Sequence, residues 1–198
     1  MRQTIPVILA SASPRRREIL TMLGVDFTVE VSDTEETTGE TEPGRIVSEL
    51  AACKAEAVAS RHSSEDFLVI GSDTIVWKDG KMLGKPADCN AAEAMLSDLS
   101  GDTNSVYTGV CLIMKRNGKV HRETFYERAD VAFAPMSDEE IRWYVSTGEP
   151  MDKAGAYAVQ GLGGRFITGI YGDFYTVVGL PMCGLYNRMR NLGVLTEQ

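Results

Sequence analysis

The segment ASASPRRR, residues 10–17, gathers hydroxyl and guanidinium groups directly after an apolar run. Pro14 is typical of the first turn of a helix, where backbone N–H groups are unpaired and the helix dipole is positive. The hydroxyl of Ser11 and the guanidinium groups of Arg15 and Arg16 add donors to the same turn. Such a set of donors has the chemistry of a phosphate-binding site.

The alternative interpretation is a solvated basic turn in which Ser13 acts only as the N-cap of the helix. Cations at a helix N-terminus oppose the helix dipole, so this alternative leaves an electrostatic cost unexplained. Arg17, the third arginine, is expected to be solvated.

Asp73 is the second candidate, because it follows the apolar strand predicted at Phe67–Ile70. Ligands of open α/β sheets gather at the carboxyl ends of strands. A carboxylate just past the end of this strand could hold a divalent metal or accept a proton from water. The alternative is an ordinary aspartate in a strand-end turn.

Two further segments place polar groups beside glycine or proline. Lys85 lies between Gly84 and Pro86 and could reach a phosphate, or it could lie in a plain surface turn. The glycine-rich segment Asp152–Gly164 contains Gln160, and its backbone can approach a flat ligand, or it could be a flexible loop. Neither the Rossmann fingerprint nor the P-loop motif occurs, so the mechanisms of those two motifs do not apply.

The predicted elements alternate β-α-β-α-β and then form antiparallel hairpins, which indicates an α/β fold with a mixed sheet. Strands are predicted at Val7–Ala10, Phe27–Val31, Phe67–Ile70, Val106–Met114, Val120–Phe133, Phe166–Ile170 and Tyr175–Val178. Helices are predicted from Pro14 to Gly24, around Ile46–Val58, at Asn90–Leu99, from Ser137 to Gly148 with a capping box at Glu140, and from Pro181 to Asn191. Hairpin turns are predicted at Asp79–Gly80 and Asn117–Gly118.

Lys54 shares a face of the predicted second helix with Leu50 and Val58, so we expect it to point inward. A buried lysine needs an anion, and a phosphate would serve. Alternatively, its stem packs on apolar surface while its head stays in water.

The length, net charge and cysteine content of the chain restrict the possible classes of function. A chain of 198 residues fits a single domain, 1–198, and its net charge of −8 disfavours a nucleic-acid surface while allowing a small polyanion in a local basic pocket. The scattered cysteines and histidines make a zinc site an unfavoured interpretation. No apolar run is long enough to span a bilayer and no signal segment is recognised, so we expect a cytoplasmic protein that binds neither membranes nor nucleic acid.

Four segments together resemble the Maf family of nucleoside triphosphate pyrophosphatases, and their order and spacing cover nearly the whole chain. The segments are LASASPRRREIL, GSDTIVWKDGKMLGKP, TGEPMDKAGAYAVQGLGG and YGDFYTVVGLP. The resemblance implies a mixed central β-sheet with flanking helices, in two lobes around a cleft, related to the inosine-triphosphate pyrophosphatases. It also implies hydrolysis of a nucleotide substrate to the monophosphate and pyrophosphate with a divalent metal, Mg²⁺ or Mn²⁺, and a homodimer.

The form A-G-A-Y-x-x-Q-G-L-G-G is similar to the branch of the family that acts on dTTP and UTP. Arg15, Thr74 and Gln160 match the specificity positions of that branch. A second branch, active on 7-methyl-GTP, usually has Glu in place of Gln160. The acidic segment from Ser32 resembles the metal-associated segment of the family, which places a metal ligand at Glu36, although Glu35 is adjacent.

The resemblance implies roles that the residue types can fill. Asp73 and Glu36 would hold the metal, with Asp73 as the base that activates water, and Lys85 would stabilise developing charge. The groups that would bind the nucleotide are Ser11, Arg15, Arg16, Lys54, Thr74, Lys85 and Gln160. The alternative is a nucleotide-sensing regulator of cell division without significant turnover, although a sensor needs no base. A phosphotransferase lacks a recognisable acceptor site.

Overall fold

The computed structural model describes residues 1–32, 37–62 and 65–197. Its strands are β1 (Arg2–Gln3), β2 (Val7–Leu9), β3 (Phe27–Val29), β4 (Phe67–Lys78), β5 (Lys81–Leu83), β6 (Thr103–Arg116), β7 (Lys119–Phe133), β8 (Ile167–Tyr171) and β9 (Leu195–Thr196). Its α-helices are α1 (Pro14–Met22), α2 (Pro43–Ala59), α3 (Cys89–Leu99), α4 (Asp138–Ser146), α5 (Phe174–Val178) and α6 (Met182–Asn191). Short 3₁₀ helices span Glu149–Asp152, Ala154–Ala156 and Leu162–Phe166.

The main sheet has the strand order β3-β2-β4-β6-β7-β8, and β5 pairs with β4 outside this path. Strand β2 is parallel to both β3 and β4, whereas β4 with β5 and β7 with β8 are antiparallel. The predicted mixed α/β architecture is therefore confirmed. Strands β1 and β9 form a separate antiparallel pair.

The chain divides into two compact units. The first unit comprises Met1–Thr74, Thr108–Glu127 and Gly179–Gln198, and the second comprises Ile75–Tyr107 and Arg128–Val178. One buried cluster of the first unit joins the small residues of α2 to β2 and β4. The core of the second unit joins α3 and α4 to parts of β4, β6 and β7.

Two hairpin turns have the backbone that their sequences predict. Asp79 and Gly80 have φ values of 49° and 76°, and Asn117 and Gly118 have φ values of 52° and 76°. Left-handed conformation at both central residues is the mark of a type I′ turn, which matches the twist of the flanking strands. Both predicted hairpins, β4–β5 and β6–β7, are thereby confirmed.

Two local predictions are wrong. The strand predicted to end at Ile70 continues to Lys78 as β4, which pairs with β2 up to Ile70 and with β5 from Val76 onward, so Gly71–Thr74 lies inside a strand. The predicted strand at Tyr175–Val178 is part of helix α5. There the carboxylate of Asp173 accepts the N–H of Tyr175 at 3.0 Å, and this local bond begins a helix in residues of high strand propensity.

Within the described part of the chain, no helix combines the length and the apolar character that a bilayer crossing requires.

Candidate functional site

The hydroxyl of Ser11 lies at the junction of β2 and α1 and is nearly buried, with 7% of the residue exposed. Its oxygen accepts the backbone N–H of Ser13 at 3.2 Å and the Nη1 group of Arg16 at 3.0 Å. Ser13 occupies the N-cap position, but within the described residues its side chain makes no capping hydrogen bond. The first turn of α1 is therefore organised around Ser11 and Arg16 rather than around a conventional cap.

Arg16 is fixed by acceptors from three separate segments. Besides Ser11, its Nε group donates to the carbonyl of Gly179 at 2.9 Å and its Nη2 group donates to the Thr74 hydroxyl at 3.2 Å. The Thr74 hydroxyl in turn lies 2.9 Å from that of Thr108 on β6. The structure thus brings together Ser11, Arg16 and Thr74, three of the predicted site residues, in the first unit.

Gly179 was part of a motif in the sequence but had no predicted role. Its carbonyl accepts from Arg16 and also from the buried hydroxyl of Ser72, at 3.1 Å. Its φ of 125° is a conformation that side-chain-bearing residues rarely adopt. The glycine therefore aims its carbonyl at Arg16, and the sequence signal for this role was only the glycine itself.

The other two arginines of the segment differ in exposure. Arg15 is half-buried and Arg17 is exposed, the latter as predicted.

Lys54 and Asp73 form a nearly buried ion pair. The Nζ atom of Lys54 lies 2.6 Å from Oδ1 of Asp73, and the two side chains are 11% and 10% exposed. The predicted inward direction of Lys54 is therefore confirmed. The anion that it meets here is the carboxylate of Asp73, a pairing that the sequence analysis did not predict.

The lack of a side chain at Gly71 lets helix α2 pack close enough to β4 for Lys54 to reach Asp73. Gly71 and Asp73 lie two residues apart on β4 and so share a face of the sheet. A Cβ atom on Gly71 would lie 2.2 Å from the carbonyl oxygen of Ala51 and 2.8 Å from the amide nitrogen of Ala55. The backbone of α2 therefore rests directly on β4, and Lys54, between these two alanines, reaches the carboxylate.

The Gly71→Ala variant is expected to lose about 1–3 kcal/mol of unfolding free energy, because the added methyl group forces α2 away from β4. Urea denaturation measures this loss. The matched control is Gly39→Ala, since within the described residues a Cβ at Gly39 would meet nothing within 4 Å. Equal stability of the two variants would contradict the close packing of α2 on β4.

Lys85 and Gln160 belong to the second unit. Lys85 is exposed in the connection between β5 and α3, next to Gly84, whose carbonyl accepts the N–H of Gly155 at 3.1 Å. Gln160 is exposed between two 3₁₀ helices. That these two residues join Ser11, Arg16 and Asp73 in one site stays a prediction.

Glu36, the second predicted metal ligand, lies outside the described residues. Across residues 1–32, 37–62 and 65–197, no three His, Cys, Asp or Glu side chains are grouped so that they could hold a metal ion. The acidic residue of the described site is Asp73, whose Oδ1 atom accepts from the ammonium group of Lys54.

Residues 6–192 match the family described as Maf-like protein. The chain belongs to the Maf family. This Maf-family chain is 48% identical over 189 residues to a protein of Lachnoclostridium phytofermentans named dTTP/UTP pyrophosphatase, with 95% of each chain covered. It is 49% identical over 184 residues to a protein of the same name from Bacillus cytotoxicus, covering 92% of this chain and 93% of the relative.

A solved structure, that of the Staphylococcus aureus Ham1 protein, resembles this Maf-family chain with a TM-score of 0.50 at 15% sequence identity. The likeness covers 94% of this chain and 99% of the other, and at that identity it concerns the fold alone. The mixed α/β fold predicted from the sequence is thus shared with this solved structure.

Proposed function

We propose that this protein is a nucleoside triphosphate pyrophosphatase that hydrolyses dTTP and UTP to the nucleoside monophosphate and pyrophosphate. The observation that carries the proposal is the identity of 48% with a relative named dTTP/UTP pyrophosphatase, over 95% of both chains. Two features of the structure also support the proposal. They are the hydrogen-bonded group of Ser11, Arg16 and Thr74 and the buried ion pair of Lys54 and Asp73.

The cations of the first unit are assigned to the triphosphate. A nucleoside triphosphate brings about four negative charges to a chain whose own net charge is −8, so the site must supply positive charge locally. Arg16 is already oriented by its hydrogen bonds to Ser11, Thr74 and Gly179, so little side-chain freedom is lost when a phosphate arrives. We assign Ser11, Arg16 and Lys54 to the phosphates, together with Lys85.

Asp73 is the proposed general base. It accepts a proton from the attacking water while the water oxygen bonds to the α-phosphorus, the bond from that phosphorus to the bridging oxygen breaks, and pyrophosphate leaves. The ammonium group of Lys54, 2.6 Å from Oδ1, fixes the direction of the carboxylate. Lys85 is proposed to stabilise the charge that develops on the leaving group.

A divalent cation, Mg²⁺ or Mn²⁺, fits the chemistry of this site. The described donor is the carboxylate of Asp73, and Mg²⁺ binds through one or two carboxylates, with phosphate oxygens and waters completing its shell. Asp73 would hold it, with Glu36, outside the described residues, as the second proposed ligand. When bound, the cation supplies Lewis-acid stabilisation of charge on the phosphates.

Base recognition is assigned to Arg15, Thr74 and Gln160. Uracil and thymine present an N3–H donor between two carbonyl acceptors, and the amide of Gln160 can accept from the first and donate to a carbonyl. Arg15 can only donate hydrogen bonds, so it would bind the O4 carbonyl of uracil or thymine. In cytosine an amino group takes the place of O4, and two donors would then face each other. An unpaired buried donor costs about 1–3 kcal/mol, so CTP is expected to be hydrolysed roughly tenfold to a hundredfold less efficiently than UTP.

The Gln160→Glu variant is expected to lose turnover of dTTP and UTP, because a carboxylate cannot donate to a base carbonyl. Steady-state kinetics with UTP and CTP measure both effects. Comparable kcat/KM for the two nucleotides in the unmodified protein would contradict the donor clash. Unchanged UTP turnover by the variant would show that Gln160 does not contact the base.

A substrate panel tests the proposed function directly. The protein is incubated with a divalent metal and each of dTTP, UTP, CTP and the purine triphosphates, and released pyrophosphate is measured. Pyrophosphate from dTTP and UTP is the expected result. Binding of dTTP without any release of pyrophosphate would favour the alternative, a nucleotide sensor that regulates cell division. The homodimer and the cytoplasmic location stay predictions.

A further inference from the structure

Glu149 makes an unusual set of bonds for a residue without a predicted role. Its Oε1 atom accepts the hydroxyl of Tyr144 at 2.8 Å and the N–H of Gly163 at 3.0 Å, and its Oε2 atom accepts the N–H of Leu162 at 2.9 Å. The Tyr144 hydroxyl itself accepts the N–H of Ala158 at 3.1 Å. We call these five residues the Glu149 clasp.

The clasp binds the backbone on both sides of Gln160, the residue of this segment to which base recognition is assigned. Ala158 lies two residues before Gln160, and Leu162 and Gly163 lie two and three residues after it. The side chain of Gln160 is exposed, so its position depends on the backbone that carries it. This backbone is rich in glycine, which loses more conformational freedom on ordering than any other residue.

Two glycines of the segment lie too close to the clasp to carry a side chain. A Cβ atom on Gly161 would lie 2.3 Å from Oε2 of Glu149, and one on Gly163 would lie 2.4 Å from the hydroxyl oxygen of Tyr144. The segment can therefore wrap around the carboxylate only because side chains are missing at these two positions. Tyr144 is fully buried, which fixes its hydroxyl as an anchor in the core of the second unit.

The ionised form of Glu149 is favoured by the clasp. Burial alone would raise the pKa of the Glu149 carboxyl, but hydrogen bonds from Leu162, Gly163 and Tyr144 outweigh burial and lower that pKa below its ordinary value. A carboxylate with no proton can accept from all three donors at once. Burial of Tyr144, together with its hydrogen bond to Glu149, raises the pKa of the Tyr144 hydroxyl, so the hydroxyl keeps its proton and remains a donor.

We propose that Glu149 is a positioning residue for base recognition, because its carboxylate and the Tyr144 hydroxyl fix the segment that presents Gln160 to the pyrimidine. This inference rests on the proposed function, in which Gln160 contacts the base.

The Glu149→Gln variant tests the proposal, since the amide keeps the shape of the carboxylate but places a donor against one of the N–H or O–H donors. We expect the ratio of kcat/KM for UTP to that for CTP to fall about tenfold, mainly through a higher KM for UTP. The ratio of the dissociation constant for UTP to that for CTP, measured by titration calorimetry, should rise correspondingly, because weaker binding of UTP means a larger dissociation constant. The matched control is Glu140→Gln, which alters the capping carboxylate of α4 that accepts the N–H of Ser137.

A double-mutant cycle separates positioning from a purely structural role. In a Gln160→Ala background, adding Glu149→Gln is expected to leave the UTP-to-CTP ratio unchanged, because the residue that the clasp positions is already absent. The Tyr144→Phe variant, which keeps the carboxylate, is expected to lower the ratio in the same direction and provides the test if Glu149→Gln does not fold.

Two outcomes would overturn the proposal. One is an unchanged UTP-to-CTP ratio in folded Glu149→Gln or Tyr144→Phe protein, and the other is an equal fall of the ratio with and without Gln160. Failure of the proposed function gives a different result, because the unmodified protein would then release no pyrophosphate from dTTP or UTP. In that case the ratio of the two dissociation constants still tests the clasp.

Discussion

The Asp73→Asn variant is expected to retain binding of dTTP and to lose about 10²–10⁴-fold in kcat, the usual contribution of a general base. An amide keeps the size of the carboxylate but cannot accept a proton from water. Steady-state kinetics measure turnover, and calorimetry with dTTP measures binding. Retention of most of kcat would show that Asp73 is not the base.

The control for this variant must also break an aspartate–lysine pair, because Asp73 is bonded to Lys54. Asp102→Asn does so, since Asp102 lies 2.6 Å from the nearly buried ammonium group of Lys78 and neither residue belongs to the proposed site. The hydrogen bond with Asp102 raises the pKa of Lys78 and outweighs the opposing effect of burial, and a weaker contact with Asp79 adds to the rise. Asp102→Asn is expected to lower stability without changing kcat.

The Arg16→Ala variant is expected to raise the KM for dTTP and UTP by about tenfold to a hundredfold, because a hydrogen bond to a charged group contributes about 1.5–3 kcal/mol. Binding of the free nucleoside should change much less, since Arg16 is assigned to the phosphates. Calorimetry with thymidine and dTTP measures the two effects. Lys85→Ala is likewise expected to weaken binding of the triphosphate more than binding of the free nucleoside.

Arg17→Ala is the matched control for Arg16→Ala, because Arg17 is the adjacent residue of α1 and is exposed. It should leave both KM values near those of the unmodified protein. An equal loss of affinity for thymidine and dTTP in Arg16→Ala would mean that the arginine supports the fold or the base instead, through its bonds to Gly179 and Thr74.

Local signals in the sequence predicted local structure well. Asn117–Gly118 forms the predicted hairpin turn because few residue pairs tolerate two left-handed conformations. Ser137 and Glu140 form the predicted capping box, in which each side chain accepts the backbone N–H of the other residue. Both features depend on residues within four positions of one another, which a single sequence displays directly.

The contacts of the candidate site depend on distant segments and were less predictable. The pair of Lys54 and Asp73 requires both the continuation of β4 past Ile70 and the close packing of α2 on Gly71. A glycine inside an apolar strand is a sign of close backbone approach, but it does not tell which helix approaches. The bond from Arg16 to Gly179 joins residues 163 positions apart, and a backbone carbonyl leaves no trace in the sequence.

The central claim is that water attacks the α-phosphorus of a pyrimidine nucleoside triphosphate. Hydrolysis of dTTP in oxygen-18-labelled water, followed by mass spectrometry of both products, tests it most directly. Attack at the α-phosphorus predicts one labelled oxygen in dTMP and none in pyrophosphate. Label in the pyrophosphate, or formation of dTDP and orthophosphate, would contradict it.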